Sequence, residues 1–215
     1  SDDGVDLVFR GQLAQVLARS DRGALFDTLE YSIREIIRNT VEHSRSPLVE
    51  WCAQYWPKMD RVEIAVIDRG VGIEASLRQN PSLSIQDGHN ALNLALLPGV
   101  SRNVYPGAPI SPGNVWQNSG FGLYMTSRLC RLGGDFFIGS GSDGIFLKGS
   151  RKEYYPFGLP GTAVRMVLRP RRIPNLKQVL KQFADEGERI ARKMKISLPE
   201  ASTASRMIRT DFFGV

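Results

Sequence analysis

Asp68-Arg69-Gly70-Val71-Gly72-Ile73 is the stretch from which the rest of this chain is read. It follows a short apolar run, Val62 to Ile67. An apolar run of that length, bounded by turn residues, reads as a buried strand. Two glycines one residue apart then mark a place where backbone bends or passes close to another group. A carboxylate at the end of a strand can accept a hydrogen bond from an amino group, such as the exocyclic amine of adenine. An ordinary turn after a strand would carry the same residues, so the neighbouring segments must discriminate.

Composition narrows the field. The chain has 215 residues, 42% hydrophobic and 23% charged, which is the make-up of a globular protein able to bury a full core. One main domain is expected, without a membrane span or a secretory leader, and a cytoplasmic location with it. Cys52 and Cys130 lack metal spacing, so free buried thiols are expected rather than one disulfide. The net charge is +6, yet residues 1–168 carry 17 Lys+Arg against 17 Asp+Glu, while residues 169–215 carry 11 against 5. The surplus lies in the tail, and the neutral body argues against a large nucleic-acid surface on the main domain.

Upstream, residues 1–20 form an N-terminal segment with a short helix from Leu7 to Leu17. Ala24 to His43 is the strongest helix pattern. Leu25, Leu29, Ile33, Ile36, Ile37 and Val41 make one apolar stripe, with Arg34, Arg38 and Arg45 on the opposite, solvated side. Glu35 and Asn39 lie one turn apart on the boundary. A carboxylate there can act as a base or orient a water, and an amide oxygen can ligate a hard cation. Both can equally be boundary polar residues. His43 reads as a capping or packing residue, and Pro47 supports the helix end. Trp51, Tyr55 and Trp56 precede Pro57 and read as a helical turn over the core edge, or as a protein-contact patch.

Downstream, Glu74 to Arg78 begins a short helix and Asp87 to Leu97 a longer one. The stretch of about 80–119, rich in Pro and Gly toward its end, reads as a lid over a ligand, with Ser101-Arg102 as candidate phosphate contacts. Asn118-Ser119-Gly120-Phe121-Gly122-Leu123-Tyr124 opens a helix to about Leu132, stopped by Gly133-Gly134. Glycines before a helix leave N–H groups aimed at one point, an anion site suited to phosphate. The stretch is neither a Walker loop, which needs a Lys-Ser/Thr pair, nor a Rossmann fingerprint. Phe136–Gly139 and Gly144–Lys148 read as a hairpin around Ser140-Gly141-Ser142-Asp143, and Arg151–Pro156 as an irregular insert. Gly161-Thr162 leads into a last strand, Ala163–Leu168, alternating through Val164, Met166 and Leu168.

Four boxes thus stand in order: Glu35-x-x-x-Asn39, Asp68-x-Gly70-x-Gly72, Gly120-x-Gly122-Leu123 and Gly161-Thr162. Residues 21–168 resemble the GHKL ATP-binding family, which includes sensor histidine kinases, gyrase B, heat-shock chaperones and MutL. The resemblance is nearest to the histidine-kinase and anti-sigma-kinase types. It implies a two-layer α/β (α+β) sandwich, the Bergerat fold, with a mixed, largely antiparallel sheet and helices on one face. It implies ATP and Mg²⁺ as ligands. Asn39 would hold the Mg²⁺, and Glu35 would orient or activate the attacking group. Asp68 would bind the adenine amine with help from Thr162, and Gly70 and Gly72 would let the chain pass near the nucleotide. Gly120, Gly122 and Leu123 would give N–H groups to the phosphates.

There are departures from that family. Neither His43 nor His89 is followed by the acidic residue usual at a phospho-accepting histidine, and the first 20 residues are too short for a dimerisation hairpin. The expected function is therefore an ATP-binding regulator with slow or partner-dependent hydrolysis. A kinase acting on a separate protein, a nucleotide-gated ATPase and a degenerate scaffold are the alternatives. The expected partners are ATP and a protein or a second copy. Residues 169–215 form a basic extension with a helix over Asn175–Lys195, which would pack on the domain or a partner and is the one part suited to nucleic acid.

Overall fold

A computed structural model describes residues 12–44, 46, 48–106, 120–173 and 175–194, apart from the side chains of 40–43. Two hairpins build one sheet. The first joins β1 (Val49–Trp56) to β2 (Arg61–Asp68), and the second joins β3 (Asp135–Lys148) to β4 (Arg151–Leu168). The strand order is β1-β2-β4-β3, and every pairing is antiparallel. The expected mixed sheet is thus corrected among the described residues: the hairpins meet through β2 and β4, which run in opposite directions.

The helices are α1 (Ala24–His43), α2 (Gly72–Leu77), α3 (Gly88–Ala95), α4 (Gly122–Cys130) and α5 (Leu176–Lys193), with a helical stretch at 12–18 before them. Val62, Ile64 and Val66 of β2 alternate inward, as do Phe136 and Ile138 of β3 and Val164, Met166 and Leu168 of β4. These rows bury beneath Phe26, Leu29, Ile33 and Ile36 of α1 and Met125 and Leu129 of α4, giving a two-layer α+β arrangement. Each such side chain contributes roughly 1.5–3 kcal/mol by leaving water. The other sheet face carries charge: Arg165 Nη1 lies 2.6 Å from Asp135 Oδ1, Arg61 Nη2 lies 2.6 Å from Glu63 Oε2, and Arg165 also pairs with Glu63.

Several local readings change. Trp51, Tyr55 and Trp56 lie on strand β1, turned back by Pro57–Met59 and by Asp60 in the left-handed region (φ 47°). Ser140 to Asp143 is not a turn; β3 runs through it as one strand with register shifts at Ser140/Gly141 and Gly141/Asp143. The turn falls at Gly149–Ser150, so Arg151–Pro156 is strand rather than irregular insert. Gly and Ser in that stretch signalled a turn, whereas cross-strand pairing turned them into a bulge. Cys130 is buried but Cys52 is exposed, and both are free thiols.

Residues 80–106 form a packed unit. Leu77, Ile85, Ala91, Ala95 and Val100 make a second small core beneath α2 and α3. Asp87 caps α3, its side chain accepting from Asn90 N–H. On α3, His89 stacks against Tyr154 of β4 at 4.2 Å. The remainder of the expected lid, 107–119, lies outside the described residues, as do Arg45, Pro47, most of 1–20 and the end from 195 onward. α5 packs on the domain: Leu176, Leu180, Phe183 and Gly187 are buried, Arg128 of α4 pairs with Glu186, and its guanidinium sits 4.8 Å over Phe183.

Candidate functional site

The inward rows of β2, β4 and β3 each end in a polar residue at the same edge of the sheet. Asp68 keeps the two-residue period of Val62, Ile64 and Val66, so its carboxylate falls on the buried face. Register puts it opposite Thr162, which in turn lies opposite Ser140. Asp68 is 4% exposed, and its Oδ1 accepts from Gly70 N–H at 2.9 Å. Burial raises its pKa above the ordinary carboxylate value, and backbone N–H groups of Gly70 and Thr162 offset this only in part. Asp68 is thus a buried carboxylate whose named donors are backbone N–H groups.

That shift carries a prediction. A carboxyl whose folded pKa lies above its unfolded one binds protons more readily in the native state. Stability then falls as pH rises from the unfolded pKa through the folded one. Asp68→Asn, which keeps the acceptor for Gly70 N–H, is therefore expected to melt at a higher temperature than the parent at neutral pH. The difference should close as pH falls below about 4. Parallel thermal melts at pH 7 and near pH 3.5 check it.

Ser140 ties the pieces together: its Oγ donates to Gly161 O at 2.7 Å and accepts from Ile73 N–H at 2.9 Å. It was missed in the sequence because its neighbours signalled a turn, although it continues the period of Phe136 and Ile138. Gly161 has φ +95°, and a Cβ there would lie 2.1 Å from Asp68 O. The strands can pair at this point only because position 161 has no side chain. Gly70 makes a different approach from the expected one. A Cβ on it would lie 1.9 Å from Ser44 O, which also accepts from Val71 N–H at 2.8 Å. The turn after β2 is thereby pinned to the end of α1.

From the other side, α1 presents Glu35 and Asn39 to the start of α4. A Cβ at position 122 would lie 2.5 Å from Glu35 Oε2 and 3.4 Å from Asn39 Nδ2, so Gly122 permits this helix contact. Glu35 is 0% exposed. It accepts from Arg38 Nη2 at 2.7 Å and pairs with Arg34 Nε at 3.4 Å. The expectation that Arg34 and Arg38 face solvent is therefore wrong: they are 1% and 7% exposed. The sheet covers one side of α1 while α4 and α5 cover another, and the guanidiniums pair internally with Glu35 and Glu30. Arg34 also lies 5.0 Å over the ring of Tyr31. The phenol of Tyr31 is pushed well up, first by burial and then by Glu35.

The first turn of α4 has no side-chain cap from Phe121. Its N–H groups have no partner within the helix, which concentrates partial positive charge there. Before it, Gly120 stacks against the turn at Gly99–Val100, with Gly99 N–H donating to Gly120 O at 3.1 Å.

These edges enclose one cleft with a volume of about 80 Å³. Asp68, Thr162 and Gly72 line one end, and Gly120, Gly122 and Leu123 line the helix end together with Asn39. Ile36, Ile73, Leu77, Val100, Ile138 and Val164 supply apolar walls. Ser101 and Arg102, the candidate phosphate contacts of the expected lid, also line it. Glu35 and Gly70 are not among the residues that line it. Asn39 Nδ2 is buried there without a hydrogen-bond partner among the described residues. Apolar walls with a few convergent polar groups are the make-up of a small-molecule site. No helix among the described residues is long and apolar enough to cross a membrane. The sequence matches no protein-family model and no curated protein.

Proposed function

We propose that this chain is an ATP-binding regulator of the GHKL kind, using Mg²⁺, with hydrolysis or phosphoryl transfer slow in the absence of a partner. The observation that carries the reading is convergence. Residues from four separated boxes, spread between Asn39 and Thr162, line one cleft with a lone carboxylate at one end and an uncapped helix start at the other. Adenine suits the Asp68 end, because a desolvated carboxylate gains most from an amine donor that water no longer supplies. Phosphates suit the start of α4.

The donor set also fits Mg²⁺ held jointly with phosphate. Among the described residues no cluster of three or more His, Cys, Asp or Glu is present, so a cage built from protein carboxylates is not the design. Mg²⁺ keeps most of its waters and takes few protein ligands beside substrate phosphates. Asn39 lines the cleft, and its side-chain oxygen is the group that would reach the ion. The ion would neutralise phosphate charge. Glu35 is the weak point for rapid chemistry. Its oxygens are engaged by Arg34 and Arg38, so it reaches a substrate only after those pairs rearrange. That favours binding with little turnover, and a partner that shifts α1 against α4 would release it.

Calorimetric titration with ATP and Mg²⁺ tests the reading. The parent chain is expected to bind one nucleotide and to melt later in its presence, by roughly 2.7 kcal/mol of added stability at a hundred times the dissociation constant. Asp68→Ala is expected to remove both effects while remaining folded. Absence of binding in the parent would overturn the proposal.

A further inference from the structure

We infer that Arg102 is the residue by which the cleft measures the length of the phosphate chain, and that Asn80 is the positioning residue that sets it there. The inference rests on the nucleotide reading above and extends it to specificity. Arg102 is the one basic side chain among the described residues lining the cleft, as Asp68 is the one acidic side chain.

The turn that carries Arg102 is built to hold still. Asn80, 2% exposed, donates from Nδ2 to Ser101 O at 2.7 Å and to Val104 O at 2.9 Å, on either side of Arg102. Its Oδ1 accepts from Ser82 N–H at 2.9 Å, so the whole amide is committed. Gly99 and Gly120 press the same turn against the start of α4. Ser101 is 5% exposed, so the turn is packed rather than draped over the surface. A buried amide spending two donors on two carbonyls of one turn fixes that turn better than apolar packing does.

Asn80 also follows α2, which starts at Gly72 beside Asp68. One short helix thus connects the end suited to the base with the turn that carries Arg102, whose Nε donates to Asn103 Oδ1 at 3.1 Å. A guanidinium gives a phosphate two parallel donors in a fixed fork, and it gives nothing to an unphosphorylated nucleoside. The energetic contribution of Arg102 should therefore grow with each added phosphate, whereas Asp68 contributes equally to every adenine ligand.

Titrations of adenosine, ADP and ATP in one Mg²⁺-containing buffer test this on the parent, Arg102→Gln and Asn80→Asp. The aspartate is isosteric but lacks the two donors. With Arg102→Gln, ATP affinity is expected to fall about ten- to a hundredfold. ADP should lose less, and adenosine should stay within about twofold. Asn80→Asp should repeat that order at smaller size, and Arg102→Lys should recover part of the loss for ATP. If Asn80→Asp does not fold, Asn80→Leu, which also lacks the two donors, carries the same expectation. An equal loss for all three ligands, or an unchanged ATP affinity, would overturn the inference while leaving the nucleotide site standing. A parent chain that binds none of the three would overturn the nucleotide reading itself.

Discussion

Glu35→Ala is expected to lower the unfolding free energy by about 3–5 kcal/mol, the usual cost of removing one partner from a buried ion pair. Glu35 is fully buried and stands between two guanidiniums that are almost as buried. Removing it leaves Arg34 and Arg38 facing each other in a desolvated space, with Glu30 paired to Arg34 at 3.9 Å as the carboxylate left beside them. Urea denaturation of the parent, Glu35→Ala and Glu35→Gln measures the effect. The glutamine keeps volume and one acceptor but not the charge, so it should lie between the other two. A Glu35 that served only as a solvent-facing base would behave otherwise. Glu35→Gln would then shift stability by no more than about 0.5 kcal/mol and change turnover alone. The measurement thus separates a structural carboxylate from a purely catalytic one.

Gly161→Ala is the second large expected effect, about 3 kcal/mol of lost stability together with loss of nucleotide binding. The two penalties at this position are independent. Its φ of +95° is a conformation that an alanine adopts only under strain, and its Cβ would overlap Asp68 O. The overlap is with backbone, so no rotamer change relieves it. Relief requires β4 to move away from β2 at the Asp68–Thr162 pair, which is where the carboxylate of the cleft is set. Gly141→Ala is the control. Gly141 also has a positive φ, +63°, but nothing lies within 4 Å of its Cβ position. It should cost only about 1 kcal/mol and leave binding intact. Thermal melts and one titration per variant decide the comparison. Equal effects at the two positions would mean that backbone strain alone, and not the β2–β4 approach, is responsible.

Much of the fold and most of the candidate site were legible in the chain itself. The period of β2, the stripe of α1, the alternation of Ala163–Leu168 within the longer β4 and the helix after Gly120-Phe121-Gly122 all depend on local spacing. Local spacing is what sequence displays. The four boxes were legible for the same reason, since each is a short run of residue types with its own backbone requirement. Beyond that lies everything set by a second surface. An amphipathic pattern shows which side of α1 meets the sheet. It does not show that α4 and α5 cover another, and so Arg34 and Arg38 read as solvated when they are buried pairs. Gly and Ser around 140–143 favour a turn locally, and only pairing with β4 makes them a bulged strand with Ser140 aimed inward. Asn80 carried no motif, because its significance is a pair of hydrogen bonds across more than twenty residues of chain. Sequence by itself determined β2, α1, α4 and the last part of β4, and the chemistry available to them. Tertiary structure decided which charges leave water and which glycines meet backbone, because burial and close approach belong to pairs of surfaces and not to either one alone.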